Sequence, residues 1–376
     1  MLDTPDLPER IRALPGPALG KLIADVGLED AGELVALASS EQLAQILDED
    51  LWHSPRPGED ERFDAARFLL WLEIMFEAGE RFVAERLSEL PQDLLTLAIH
   101  RHVLVLPLED LRRELSAGDD EAEAAEKAFE NCLSEELDDY QLIWRGGDGW
   151  DEVWSALLAL DRDHHVMLVA LLERCASLSR EHIDDNGGLY AVLSAEEMLE
   201  ADLQAERDDR RAAQGYVAPS AAKAFLRLAA LKMSDTPFSE HDPVTRAYFR
   251  NLSPAAAQAA RASSGNGLRL GAAGAPGPAE PLLIRALRSL AEADPTTFAT
   301  RSEELAYLSN VLLAAHDVDG GRLRPYDAVA LAIATVSRGL ELAEERAPRE
   351  PVAAAAQRLR RYPCDGLFRL AWSRRL

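Results

Sequence analysis

Thiols are scarce in this chain. Only Cys132, Cys175 and Cys364 occur in 376 residues, far apart and odd in number, with no CxxC pair and no Cys/His zinc spacing. A disulfide scaffold and a structural zinc site find no basis here, and a reduced cytoplasm is the expected compartment. Long apolar runs are missing as well. Spanning a bilayer takes roughly 20 consecutive apolar residues, and the longest run, Val166 to Leu172, reads as part of a core helix. Membrane insertion is therefore not expected. The start, MLDTPDLPERIR, mixes acids and prolines where a signal peptide needs a basic start and an apolar run. Positive charge is in deficit: 40 Lys and Arg stand against 66 Asp and Glu, a formal net charge of −26. That balance keeps the chain soluble and repels nucleic acid at long range, so an unidentified protein is the expected partner.

The catalytic signatures readable from a single sequence are absent too. GxSxG, GxxxxGK[ST] and GxGxxG do not occur, nor does the Glu-x-x-His pair that helical di-metal sites supply. No cofactor and no tightly bound metal are expected.

What is present is apolar and helical in period, with 47% of residues hydrophobic. The stretch RFDAARFLLWLEIMFEAG, Arg62 to Gly79, is apolar on nearly every side of a helical wheel and reads as a buried central helix. Before it come short amphipathic helices. Pro15 and Pro17 punctuate the first two, Gly27 ends the second, and Asp30 with Glu33 and Ser39 with Gln42 read as capping pairs for the next two. After it, amphipathic patterns continue through Leu168, Leu171, Leu172 and Cys175 to Val329, Ile333, Val336 and Leu340. Val103 to Leu106 fits a buried strand or the end of a helix, since so short a run has no readable period. No strand alternation stands out elsewhere. The expected class is all-α, with stacked helix pairs, partly solenoid-like, around the central helix.

Composition divides the chain into an N-terminal helical unit at 1–115, a middle unit at 116–262, a Gly/Ala/Pro linker at 263–281 and a C-terminal unit at 282–376. Within the middle unit, 119–139 reads as an amphipathic helix with a very acidic outer side. The last 31 residues carry eight arginines among apolar residues. Arg358, Arg360 and Arg361 are the candidate interaction residues there, on a tail expected to pack on the body of the protein.

Several patterns touch on chemistry, each with a plainer explanation. Glu73, Glu77 and Glu80 fall at i, i+4 and i+7, which stacks three carboxylates where a hard cation could be shared, or forms the one wet strip of the central helix. His100 with His102, and His164 with His165, are adjacent or alternate and diverge on a helix, whereas zinc-binding helices use i, i+4. Asp317, Asp319 and Gly320 begin like a calcium loop, but Gly321 replaces the third acid and no Glu stands at the twelfth position. His241 and Asp242 form an HD dipeptide without the further His and Asp ligands of a phosphohydrolase. Cys175, on a core stripe, reads as buried and inert.

Seven stretches carry a resemblance to a bacterial family. They are EDAGELVAL (29–37), LDEDLW (47–52), RFDAARFLLWLE (62–73), GYVAPSAAKAFL (215–226), ELAYLSNVLLA (304–314), GRLRPYDAVALAIATVSRGLE (321–341) and DGLFRLAW (365–372). In these the chain resembles domain-of-unknown-function family 6178 along nearly its whole length. That resemblance implies no activity, substrate or catalytic residue. The Leu-rich N-terminal helix pairs are also similar to the cytosolic helical domain of MgtE-type magnesium transporters, whose acidic stacked helices answer to divalent cations. The expected function is that of a cytoplasmic helical interaction or regulatory protein presenting a partner-binding surface. The alternative is an enzyme or divalent-cation sensor that uses Glu73, Glu77 and Glu80.

Overall fold

The computed structural model describes residues 7–115, 132–185, 194–212, 215–233, 236–253, 280–318, 321–343 and 351–374. The chain forms two compact units, Met1–His53 with Arg62–Ala205, and Ser54–Glu61 with Glu206–Leu376. Among the described residues there are seventeen α-helices and only small sheets, so the fold is all-α in the main. The division differs from the expected breaks at 115/116 and 262/263: it falls inside a helix, Ala195–Ala212, which composition gave no reason to cut. The expected linker lies, but for its last two residues, outside the described residues.

In the first unit, α1 (Leu7–Arg12), α2 (Gly16–Val26), α3 (Gly32–Leu37) and α4 (Ser40–Asp50) follow one another through short turns. The capping box of α4 forms as expected: Gln42 N–H donates to Ser39 Oγ at 3.2 Å and Ser39 N–H to Gln42 Oε1 at 2.9 Å. Gln42, only 5% exposed, also donates its amide to Ile11 O at 2.8 Å and Leu14 O at 2.7 Å. One side chain thus starts α4 and ties it to two carbonyls at and just past the end of α1. The Asp30–Glu33 pair does not cap α3, which begins from Ala31 with no side-chain bond.

After the two-stranded pairing of β1 (Trp52–His53) with β2 (Arg62–Phe63), α5 (Ala65–Phe76) is the expected central helix. Phe68, Trp71, Leu72 and Met75 are each at most 1% exposed. The Trp71 indole N–H donates to Asp50 at 2.7 Å, so burial leaves it satisfied. α6 (Glu80–Ser88), α7 (Gln92–His100) and α8 (Leu108–Leu115) follow. A long helix, α9 (Trp150–Asp185), shares the central role by packing on α5, α6 and α7. Its helical backbone is interrupted at His164 (φ −141°, ψ 44°). Val166, just past that kink, is 85% exposed; of the apolar run expected in the core, Met167 packs against it part-buried and Leu168 is the first buried residue.

The first unit also holds a three-stranded antiparallel sheet, β3 (Val103–Pro107), β5 (Tyr140–Trp144) and β4 (Ser134–Leu137), in the order β3-β5-β4. This settles Val103 to Leu106 as strand and corrects the expected helix at 119–139. Its end, Ser134 to Leu137, is a strand with Glu135 and Glu136 exposed, while 116–131 lies outside the described residues. The tight turn explains the change. Asp138 takes a left-handed φ of 51°, which Asp tolerates better than most residues, and the chain reverses through Asp138 and Asp139 so that Leu137 pairs with Tyr140.

In the second unit, the end of α10 (Ala195–Ala212) leads to α11 (Pro219–Ala230) and α12 (Pro243–Asn251). Then come α13 (Leu282–Ala293), α14 (Pro295–Ala315), the pair β6 (Asp317–Val318) and β7 (Gly321–Arg322), α15 (Pro325–Leu342), α16 (Pro351–Arg361) and α17 (Cys364–Trp372). Phe225, Leu287, Leu308, Val336, Leu359 and Phe368 are buried in one core. α17 is enclosed by α11, α14 and α15, and every residue from Cys364 to Ala371 is buried. The arginine-rich tail therefore packs on its own unit.

Candidate functional site

The HD dipeptide supplies two different parts of a buried polar network in the second unit. Asp242 is the N-cap of α12, accepting from Val244 N–H at 2.9 Å and Thr245 N–H at 3.1 Å, and from the Thr245 hydroxyl at 2.6 Å. Pro243 at the first helical position completes that start. His241, one residue outside the helix, stacks on Phe249 at 5.3 Å and sends Nδ1 to Asp365 at 2.8 Å. Its Nε2 faces the Glu304 carboxylate at 3.6 Å.

Both carboxylates are almost completely covered, with side chains 1% exposed. Glu304, on α14, accepts the Cys364 N–H at 2.7 Å, one of the donors that the start of α17 leaves without an intrahelical partner. Asp365, in the first turn of α17, accepts the Asp242 N–H at 3.2 Å. Arg301, one turn before Glu304, ion-pairs with it and donates Nε to Leu359 O at 2.7 Å, near the end of α16. Most of this network thus satisfies helix ends. The Asp365 hydrogen bond holds the pKa of His241 above its ordinary 6.5 in spite of burial, and Glu304 adds to the effect. Burial pushes Glu304 upward, against the pull of Arg301 and the Cys364 N–H.

His241 also forms part of the wall of a cavity of about 400 Å³, shared with Phe238, Ser239, Arg246 and Arg369. Arg369 is 8% exposed and its guanidinium lies 4.9 Å over the Phe238 ring. Asp365 stands one helical turn away, within reach for an i, i+4 pair, but spends its oxygens on His241 and Asp242. Among the described residues no carboxylate pairs with Arg369, and its Nε is buried with no acceptor. Gly366, on the same helix, is required by close approach: a Cβ there would stand 2.8 Å from Phe238 O.

The other residues singled out from sequence lie elsewhere. Glu73, Glu77 and Glu80 are exposed, and Glu80 pairs with Arg162 at 2.8 Å. Where three candidate metal ligands do converge among the described residues, they are Asp138, Asp161 and His165, with ligand atoms within 4.8 Å of one another. His165 Nδ1 already bonds Asp161 at 2.8 Å, and that bond raises its pKa. His100 is fully buried and held by Glu196 at 2.6 Å, while His102 bonds Ala65 O at 3.1 Å and stacks on Trp144. Burial pushes the Cys175 thiol up to about 12, in keeping with an inert core residue. Arg360 faces Asp294 at 3.3 Å, Arg361 lies over Tyr362 at 5.1 Å, and Arg358 is half-buried.

Sequence reasoning missed Glu304, Asp365 and Arg369 as site residues. The signal was there in DGLFRLAW, where Asp and Arg stand at i, i+4 inside a run otherwise too apolar to face water.

The fold and this cavity define a helical protein with a ligand-sized pocket in its second unit. The chain belongs to DUF6178, a family of unknown function whose model matches residues 1–376. No curated protein and no solved structure matches it significantly. No helix among the described residues is long and apolar enough to cross a membrane.

Proposed function

We propose that the protein is a cytoplasmic helical interaction or regulatory protein whose second unit takes up a small ligand in the His241 cavity. The observation that carries this reading is the combination of a cavity of about 400 Å³ with ionisable side chains buried in its wall. Burying such groups costs stability unless each is fully partnered, and proteins concentrate them where a ligand completes the set. Binding is favoured over acid–base catalysis because both ring nitrogens of His241 face carboxylates, leaving neither to a substrate. A cation sensor built on Glu73, Glu77 and Glu80 has weaker support, since the strip is exposed and Glu80 is engaged by Arg162. The three unpaired thiols fit a reducing compartment. Arg360 and Arg361, exposed on α16, are the contacts offered to a protein partner.

The test is ligand capture by the full chain. The protein is incubated with a low-molecular-weight cell extract, desalted and read by native mass spectrometry. A retained adduct that disappears in Ser239→Trp, which fills the cavity mouth from an exposed position, is the expected result. No adduct, or one indifferent to that substitution, overturns the reading.

A further inference from the structure

We infer that the ligand of this cavity is a small organic monocarboxylate, anchored by the guanidinium of Arg369. The inference rests on the cavity reading above and adds the charge and size of what binds.

Each carboxylate around the cavity already has its donors. Asp242 takes the start of α12 and Thr245; Asp365 takes His241 and a backbone N–H; Glu304 takes Arg301 and the start of α17. At the rim, Glu240 pairs with Arg246 at 3.2 Å. Arg369 is what remains. It lines the cavity more than nine-tenths buried, with no carboxylate partner among the described residues and with Nε lacking any acceptor. A guanidinium in that position is costly to the fold, and its planar fork matches a carboxylate. Phe238 beneath it supports the cation through its ring face and offers no anionic partner.

One free positive charge sets the ligand's charge at one. A phosphate dianion or a nucleotide would bring a second negative charge toward Asp242, Asp365 and the rim carboxylate of Glu240, while the other cationic groups of the lining are already engaged, Arg246 by Glu240 and His241 by Asp365 and Glu304. Leu228, Phe238 and Pro243 give the cavity apolar wall, which suits an organic body over a bare ion.

Equilibrium dialysis of the full chain tests this with benzoate and butyrate, their neutral amides benzamide and butyramide, and inorganic phosphate. Benzoate or butyrate is expected to bind at least tenfold more tightly than its amide and more tightly than phosphate. Arg369→Met should lose that binding tenfold or more. Its melting temperature should stay level or rise, because a buried unpaired charge is replaced by an apolar chain of similar length. A purely structural Arg369 would instead lower the melting temperature and leave dialysis unchanged in any folded sample. Arg369→Lys, which keeps the charge and loses the fork, is expected to bind with intermediate affinity. Equal binding of acid and amide overturns the carboxylate inference and leaves the cavity reading standing. Tighter binding of phosphate overturns the monoanion assignment in the same way. If neither acid binds, the inference falls; if the extract also yields no adduct, the cavity reading falls with it.

Discussion

His241 is held above its ordinary pKa by Asp365, so its protonated form is favoured in the folded chain. A histidine raised in the native state contributes stability that is fully present below about pH 6.5 and is lost as pH climbs through the folded value. Glu304 acts with the same sign from a lower starting point, since burial raises its pKa above the ordinary 4.5. Glu196 in the first unit has the opposite sign. Burial opposes its ionisation, but hydrogen bonds from His100 and Arg145 outweigh that and hold it at about 2, so its contribution is present above pH 4.5 and lost toward pH 2. Urea melts of the wild type and His241→Gln at pH 5.5 and pH 8.5 separate these effects. The variant should lose more stability at pH 5.5 than at pH 8.5; an equal loss at both would show that His241 acts by packing on Phe249 alone.

At the scale of elements, capping was legible from sequence in part, since Asp30 with Glu33 does not cap α3, and strand pairing was not legible at all. Ser39 and Gln42 form the reciprocal bonds their spacing promised, and Ser194 and Glu197 form the same pair of bonds at the start of α10, because an N-cap is decided within four residues. β4 was misread for the opposite reason: Glu135 and Glu136 suit an exposed edge strand as well as a wet helix face, and only β5 distinguishes them. The site was hidden in the same way. Glu304 and Cys364 are 60 residues apart, and their bond exists only because α14 and α17 pack together. A close approach in that unit is at Gly339 on α15, where an added Cβ would overlap Leu367 O. Gly339→Ala gains up to about 1 kcal/mol of helix propensity, yet forcing two backbones apart in a packed core costs about 3 kcal/mol. A net loss of about 2 kcal/mol is therefore expected by chemical denaturation, and a gain would mean that α17 does not sit where its packing places it.

For the whole molecule, the consequence of two separate cores is that damage to one should leave the other folded. The tryptophans make this measurable: Trp52, Trp71, Trp144, Trp150 and Trp154 belong to the first unit and only Trp372 to the second. A chain ending at Pro363 lacks α17, and with it Leu367 and Phe368 from the core, the Cys364 N–H that satisfies Glu304, and the Asp365 that holds His241. Apolar burial on that scale exceeds what a domain can lose when its total stability is about 5–15 kcal/mol, so the second unit should unfold outright. Helical circular dichroism is expected to fall and dye binding to exposed apolar surface to rise, while the fluorescence of the five remaining tryptophans stays near native. Limited trypsin digestion should then leave a protected fragment ending close to Ala205. A truncated chain with unchanged melting and undiminished helicity would show that α17 is an accessory to the second core. Loss of the first unit's fluorescence signal along with the second would show that the two cores fold as one.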